Sequence, residues 1–193
     1  MLRPKHAPEQ LSLLTPLAAV AVCEAIETLC HVVPSIKWVN DIILEDRKIC
    51  GILTESCGFS VNEYPNLFVV GIGLNLRFDR TAHPDLAQIA GGLSDAVSVL
   101  PTRAQLAAAI LNAFEPWYDA LLAGETAKLQ SAYRYRLGCL GKEVTVHTGA
   151  QSYCATCIDL TPEGNLIVSD SQGTQHVLQA GEISIRTPSN HNL

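Results

Sequence analysis

The stretch at residues 37–55, KWVNDIILEDRKICGILTE, decides how the rest of the chain is interpreted. Two apolar runs, residues 42–44 and 49–53, flank a charged turn at residues 45–48, and this pattern predicts a β-hairpin. The stretch is otherwise apolar enough to be buried, yet it carries five polar side chains: Lys37, Asn40, Asp41, Lys48 and Glu55. A lysine at a strand edge is usually a solvated charge, and an Asn-Asp pair is usually a turn signal. Taken singly, these residues favour a plain hairpin.

Composition and charge bound the class of protein. The chain has 193 residues, of which 48% are hydrophobic and 17% charged, so it can bury a core in one domain or in a main domain with a smaller one. A net charge of −6 argues against a nucleic-acid-binding surface as the main role of the chain. No membrane partner is expected either, because residues 11–29 are interrupted by polar side chains and the N-terminus lacks the pattern of a signal peptide.

The cysteines point to a reducing compartment. Seven of them are scattered, and most lie in apolar runs, which is typical of free thiols rather than of a disulfide framework. The spacing of Cys154 and Cys157 also suits half of a zinc site or a redox pair, but no second pair follows at usable spacing. A plain strand is therefore favoured there, and we expect a cytoplasmic protein.

The first part of the chain predicts an α+β arrangement. Residues 9–31 have the spacing of a helix, with Thr15 and Pro16 as N-cap and first-turn proline. Residues 67–76 form an apolar run typical of a strand buried on both faces, and residues 58–66 read as a loop. The predicted strands of this part are 36–39, 41–44, 49–53 and 67–76.

The second part predicts two helices followed by short strands. Thr102 is a candidate N-cap and Gly124 a stop signal for the first helix, and residues 126–137 form the second. Aromatic residues at 117, 118, 133 and 135 suit a cofactor pocket, but helical spacing favours core packing. Five short strands then indicate a small β-barrel: 143–147, 153–160, 166–168, 175–178 and 182–186. The expected fold is an α+β body with a mixed β-sheet at residues 1–137 and a barrel at 138–193.

Residues 71–75, GIGLN, raise the question of a ligand. A dinucleotide fingerprint is excluded because the third glycine is missing and no helix start follows. Glycines inside a strand permit a ligand to approach the backbone closely, although a bulge or tight packing explains them equally well. Asn75 is suited to bonding a phosphate or a ribose.

Three motifs together resemble the biotin protein ligases (biotin–[acetyl-CoA-carboxylase] ligases). KWVND at 37–41, DRKICGILTE at 46–55 and GIGLN at 71–75 follow the family patterns K-W-P-N-D, D-x-K-hydrophobic-x-G-I-L-x-E and G-I-G-hydrophobic-N. Residues 2–5 resemble the strand before the family's first large helix, and residues 181–186 resemble the last strand of its SH3-like domain. The resemblance implies an incomplete catalytic domain of the biotin/lipoate ligase type with a C-terminal SH3-like β-barrel.

The resemblance also implies a chemistry. Such enzymes join the carboxylate of biotin to the α-phosphate of ATP, with Mg²⁺, and pass biotin from biotinyl-5′-AMP to a lysine of a biotin carboxyl carrier protein. Lys48, Asn40 and Asp41 match the catalytic positions, and Lys48 matches the lysine beside biotin's carboxyl group. The matched substrate and nucleotide contacts are Lys37, Trp38, Lys48, Gly51, Gly71, Gly73 and Asn75. No resident metal is implied.

Two departures from the family pattern qualify this expectation. Val39 stands where the family has proline. The family's Gly-Arg-Gly-Arg-type loop, its Ser/Thr-Asn pair and a glutamine precede the position of Leu2, and this sequence contains none of them. We therefore expect an N-terminally truncated ligase with impaired activity and without a DNA-binding domain. The alternatives are a non-catalytic remnant that binds nucleotide, carrier or a second copy as a homodimer, and a lipoate ligase-like acyltransferase.

Overall fold

The computed structural model describes residues 1–4, 11–57, 67–148, 151–179 and 183–186. The chain divides into two compact units, Met1–Arg136 and Leu137–Leu193. The loop expected at 58–66 lies outside the described residues, as do Lys5 in the expected first strand and Gly181 and Glu182 in the expected last one.

Helix α1, Leu14–Cys30, is the centre of the first unit and follows a short 3-10 helix, Leu11–Leu13. Its residues are apolar on nearly every side, and most of them are buried because α1 packs between the sheet and two later helices. The predicted N-cap is wrong. Leu13 occupies that position without a side-chain bond, and Thr15 instead donates from Oγ1 to Oγ1 of Thr54 at 2.8 Å.

The same helix corrects the expectation that this stretch is too polar to span a membrane. Residues Leu11–Cys30 have a mean hydropathy of 1.7 and are long and apolar enough to cross one by those measures alone. In its most apolar stretch of 18 residues, 67% is buried within the protein, as expected of the core helix of a globular unit.

The sheet of the first unit is antiparallel throughout its described strands, so the predicted mixed sheet is wrong. Its strands lie in chain order, β1-β2-β3-β4. The connections between them are short, and a parallel pairing needs a crossover of about a dozen residues or more. The strands are β1 Ser35–Lys37, β2 Asp41–Leu44, β3 Arg47–Cys57 and β4 Leu67–Leu74.

One face of this sheet packs against α1 and the other face is open in the described residues. Ile42, Ile52 and Phe68 are buried on the helix side. Strand β4 was expected to be buried on both faces, but Phe68 is its one buried residue and Gly71 and Gly73 are exposed. That prediction is wrong because nothing described in the chain covers the second face.

Helices α2, Arg103–Leu122, and α3, Ala127–Arg136, complete the first unit. The predicted N-cap of α2 is confirmed, since Thr102 and Gln105 form a capping box. Gly124 follows the helix with a φ of 77°, a conformation that favours glycine. The aromatic residues of these helices do not share a pocket, because Tyr133 is buried and Tyr135 is 83% exposed.

The second unit is an open five-stranded antiparallel sheet of order β8-β7-β6-β5-β9. In the described residues the two outer strands, each four residues long, do not pair with each other, so the sheet does not close into the predicted barrel. Closure needs strands that tilt and stagger until the two edges meet. The strands are β5 Glu143–Thr148, β6 Gln151–Leu160, β7 Leu166–Asp170, β8 Gln175–Leu178 and β9 Ile183–Arg186.

The paired spacing of Cys154 and Cys157 is the spacing of an ordinary strand. Cys154 is exposed and Cys157 is fully buried, because a separation of three residues places them on opposite faces of β6. Cys157 is hydrogen-bonded to Cys139, and this bond together with burial raises the pKa of its thiol. The six cysteines described in the structure are all free.

A pH-dependent contact closes the turn between β7 and β8. The carboxylate of Asp170 lies 2.8 Å from Nε2 of His176 and accepts the amide protons of Gln172 and Thr174, both at 2.9 Å. The bond with His176, reinforced by these amides, lowers the pKa of Asp170 below its ordinary value of 3.8. The ionised carboxylate therefore stabilises the fold above that value, and the stabilisation is lost as the pH falls through the lowered pKa.

We expect Asp170→Asn to be less stable than the wild type at neutral pH, with a difference that shrinks in strong acid. Urea unfolding of both proteins across a pH series measures this difference, with Ser171→Ala as a control in the same exposed turn. A difference that stays constant from neutral to acidic pH would contradict the assignment.

Candidate functional site

The open face of the first sheet carries a row of four predicted site residues. Lys37 pairs with Asp41, Asp41 with Gly51, and Gly51 with Gly73, one residue from each strand. Because directly paired residues of a sheet share a face, the motifs at 37–41, 46–55 and 71–75 meet on one surface. The sheet register, rather than any one motif, creates the site.

A β-bulge aims Lys48 at this row. Ile42 pairs with Cys50 but Ile43 pairs with Lys48, so strand β3 has one extra residue. The ammonium Nζ of Lys48 lies 2.6 Å from Oδ1 of Asp41, with the lysine side chain 46% exposed and the carboxylate side chain 19% exposed. The ammonium of Lys48 is thus fixed by Asp41 on one side and open to solvent on the other.

Gly51 makes room for that lysine. A Cβ at Gly51 would lie 3.2 Å from both Cε and Nζ of Lys48, which is too close without a shift of the side chain. The glycine of the second motif therefore has a structural reason in the protein itself.

The turn before β2 is tied to the middle of the sheet. Asn40 donates from Nδ2 to the carbonyl of Ile52 at 2.7 Å, and the amide of Ile52 donates back to the carbonyl of Asn40 at 3.0 Å. Trp38 is 6% exposed and packs inward, and the peptide between Trp38 and Val39 is cis. This reciprocal pair sets the position of Asn40 at the edge of the open face.

A cleft of about 520 Å³ lies over this surface. Its polar side chains are those of Asn40 and Lys48, and three of its eight lining residues are glycines, which have no side chain to cover the strand backbone. The complete lining is Asn40, Lys48, Gly51, Ile52, Leu53, Gly71, Ile72 and Gly73. Four predicted site residues do not line it: Lys37, Trp38, Asp41 and Asn75. Of these, Asp41 contacts the lining residue Lys48.

Gly71 and Gly73 are not required by the fold. A Cβ at either position would meet its nearest atom, a backbone oxygen, at 3.7 Å, which is an ordinary contact. The pairing of β3 with β4 is regular, and neither glycine has a positive φ. Among the described residues, neither a bulge nor tight packing explains these glycines, and an uncovered strand backbone would permit close approach of a ligand.

Asn75 lies beside the cleft and has a bond of its own. Its side-chain Nδ2 donates to the carbonyl of Gly91 at 3.2 Å, and its main-chain carbonyl accepts the amide proton of Leu93 at 2.8 Å. In this structure Asn75 ties the irregular segment at 77–95 to the end of β4.

That segment is what sequence reasoning missed. The amide of Lys48 donates to the carbonyl of Ile89 at 2.9 Å, and the amide of Gly91 donates to the carbonyl of Lys48 at 3.0 Å. Both backbone groups of Lys48 are therefore held by residues 41 and 43 positions later in the chain. The available signal in the sequence was the Gly91-Gly92 pair.

The charge at the cleft is set by one lysine. Lys48 is the one cationic side chain that lines it among the described residues. The neighbouring Cys50 is neutral, because burial raises the pKa of its thiol to about 12. In the part of the chain that the structure describes, no group of three His, Cys, Asp or Glu side chains is placed to hold a metal ion.

Comparison with known proteins agrees with this arrangement. The biotin/lipoate A/B protein ligase family matches residues 1–75, and the biotin protein ligase C terminal domain matches residues 139–186. The bifunctional ligase/repressor BirA of Bacillus subtilis is 31% identical over 93% of this chain. The chain spans only 55% of the length of that relative. The biotin–[acetyl-CoA-carboxylase] ligase of Paracoccus denitrificans is 28% identical over 95% of this chain and 77% of its own length.

Solved structures show the same fold. The biotin protein ligase from Aquifex aeolicus in complex with biotin and ATP has a TM-score of 0.78 at 22% identity, covering 93% of this chain and 73% of that one. A biotin protein ligase-like protein from a Silicibacter species has a TM-score of 0.75 at 15% identity, covering 92% of this chain and 75% of that one. With family models matching both parts of the sequence and relatives that align over nearly all of it, the chain belongs to the biotin protein ligase family.

Proposed function

We propose that this chain acts in biotin–[acetyl-CoA-carboxylase] ligation, the ATP-dependent attachment of biotin to a carrier protein. The observation that carries the proposal is the ammonium of Lys48, held by Asp41 at the edge of a cleft with a backbone floor. Relatives from Paracoccus and Mycobacterium tuberculosis bear this activity in their names. Solved structures with this fold include a ligase in complex with biotin and ATP and another in complex with biotinyl-5′-AMP.

The first step of the proposed reaction brings two anions together. An oxygen of the biotin carboxylate attacks the α-phosphorus of ATP, the bond to the β-phosphate breaks, and pyrophosphate leaves as biotinyl-5′-AMP forms. Lys48 lowers the repulsion between carboxylate and phosphate, because a fixed cation in a partly dry site stabilises the negative charge of the transition state. Gly71 and Gly73 allow the substrate to lie against the strand backbone.

The second step moves biotin to the carrier. The amine of a lysine of the biotin carboxyl carrier protein attacks the acyl carbon of the adenylate, AMP leaves with the bonding electrons, and the amine loses one proton to solvent. Asp41 is the carboxylate beside Lys48, so we assign it the orientation of the incoming amine, with Asn40 at the nucleotide side. Mg²⁺ is proposed to arrive with the phosphates of ATP.

We also propose that the protein is cytoplasmic and that its C-terminal sheet is related to SH3-like domains.

A non-catalytic binding module is the second candidate. It is favoured by the charge at the cleft, where Lys48 is the one lining cation within the described residues. A nucleoside triphosphate and a carboxylate are both anions, so they usually need more than one positively charged group beside them to react. Such a module would bind the adenylate, the carrier or a second copy without turnover.

Two measurements separate these functions. The chain is incubated with biotin, ATP, Mg²⁺ and a biotin carboxyl carrier domain, and carrier biotinylation is followed by mass spectrometry. Calorimetry then measures binding of a non-hydrolysable biotinyl-adenylate analogue. Labelling supports the ligase, binding without labelling supports the module, and the absence of both rejects the cleft as an adenylate site.

Gly73→Ala tests the backbone floor of the cleft. We expect the affinity for the analogue to fall about tenfold or more, because a methyl group would stand where the ligand meets the strand. The urea midpoint should change little, since the new Cβ makes ordinary contacts. Gly173→Ala is the converse control: its φ of 82° makes it destabilising, yet it lies in the other unit. Unchanged affinity in Gly73→Ala would contradict the proposed floor.

A further inference from the structure

The hydroxyl of Tyr133 is a buried polar group whose partner lies next to the site. Tyr133 is on α3, is 1% exposed and is among the largest fully buried side chains of the protein. Its Oη donates to the carbonyl of Val39 at 2.8 Å, across 94 residues of sequence. A buried hydroxyl is costly to leave unbonded, so this contact is a specific link between α3 and residue 39.

The carbonyl that accepts this bond belongs to the turn that carries the site. Val39 lies between β1 and β2, immediately before Asn40 and Asp41. Asn40 is bonded in both directions to Ile52, at 2.7 and 3.0 Å. The turn is thus held at two points, by Tyr133 from the helix layer and by Ile52 from the sheet.

We propose that Tyr133 is a positioning residue of the cleft. By holding the carbonyl of Val39 it sets the turn that presents Asn40, and it sets the start of β2 from which Asp41 reaches Lys48. Tyr133 does not line the cleft, and its side chain is 1% exposed, so its effect on the cleft passes through the turn. The expected effect of Tyr133 on ligand binding rests on the proposed function, whereas its effect on the position of the turn does not.

The hydroxyl group of Tyr133 distinguishes this residue from an ordinary aromatic residue of the core. Phenylalanine has nearly the same shape and would fill the same space between α3 and the turn, so packing alone does not call for a hydroxyl. Tyr135, two residues further along α3, is 83% exposed and provides a matched comparison on the same helix.

The test compares Tyr133→Phe with Tyr135→Phe in the full chain. Amide hydrogen exchange of Ile52 reports the turn directly, because that amide donates to the carbonyl of Asn40. We expect the exchange of this amide to become about fivefold faster in Tyr133→Phe and to stay unchanged in Tyr135→Phe, as the loss of one hydrogen bond implies. The amide of Phe68, bonded to Leu2 at the far edge of the sheet, serves as the internal reference.

A ligand measurement gives the second reading. The affinity for the biotinyl-adenylate analogue should fall about fivefold in Tyr133→Phe and remain at the wild-type value in Tyr135→Phe. Equal loss of protection at Ile52 and Phe68 would reveal a merely structural role and overturn the inference, and so would unchanged exchange at Ile52. Faster exchange at Ile52 alone, in a protein whose wild type binds no analogue, would support the positioning role and reject the proposed function.

A measurement on the wild type covers the case in which Tyr133→Phe does not fold. A hydroxyl proton bonded to Val39 should appear in the proton NMR spectrum as a slowly exchanging resonance close in space to residue 39. A Tyr133 hydroxyl that exchanges at the solvent rate would overturn the inference.

Discussion

Lys48→Met is expected to lower the rate of carrier biotinylation by about 10² to 10³-fold, the loss that follows removal of one fixed donor from a charged transition state. The ammonium of Lys48 lies 2.6 Å from Asp41 with its other side open to the cleft, where the carboxylate and the α-phosphate would meet. Methionine keeps an unbranched side chain that is one atom shorter, and it removes the charge. The effect should therefore appear in the chemical step rather than in the stability of the fold.

Single-turnover labelling measures this loss, with urea unfolding as the check on folding. Lys128→Met is the matched control, because Lys128 is exposed on α3 and does not line the cleft. Asp41→Asn adds a second comparison: it removes the partner that holds Lys48 and should weaken labelling less than loss of the ammonium itself. Robust labelling by Lys48→Met would reject the role assigned to this residue.

Gly92→Ala is expected to cost about 2–3 kcal/mol of folding free energy, as overpacking of a buried site does. A Cβ at Gly92 would lie 2.8 Å from the Cα and carbonyl carbon of Arg77 and from the amide nitrogen of Phe78. These are backbone atoms, so the strain cannot be relieved by rotating a side chain. The segment must move, and with it Gly91, whose amide donates to the carbonyl of Lys48 at 3.0 Å.

Urea unfolding followed by tryptophan fluorescence measures the cost, and the labelling assay measures the loss of activity that should accompany it. Gln88→Ala, an exposed position in the same segment, should leave both unchanged. If Gly92→Ala unfolds at the wild-type midpoint, the close backbone approach does not constrain the segment, and the proposed support of Lys48 fails with it.

Sequence patterns predicted correctly those features that are determined by residues close together in the chain. The capping box of Thr102 and Gln105 and the glycine after α2 were predictable because a helix end is determined by its own few residues. Strand β2, Asp41–Leu44, was predicted with its observed bounds because its apolar run is bounded by charged residues on both sides. The three motifs of the first unit were likewise visible as patterns of residues.

Predictions failed where partners far away in the sequence decide. The start of α1 was misplaced because Thr15 bonds to Thr54 across the core, which outweighs its tendency to cap. Strand β4 appeared buried on both faces because apolar composition cannot reveal that a second layer is missing from the described fold. The C-terminal strands were found, but closure of their sheet depends on whether two edges meet, which no single strand determines.

The sequence by itself determined the residues of the candidate site and the family they resemble, because motif spacing and residue type are written in the chain. Only the tertiary structure decided how those residues meet. The register aligns Lys37, Asp41, Gly51 and Gly73 in one row, and the bulge turns Lys48 onto Asp41. The contacts that support the site from Tyr133 and from residues 89–91 could not be derived from the sequence, because hydrogen bonds between residues so far apart in the chain exist only once it has folded.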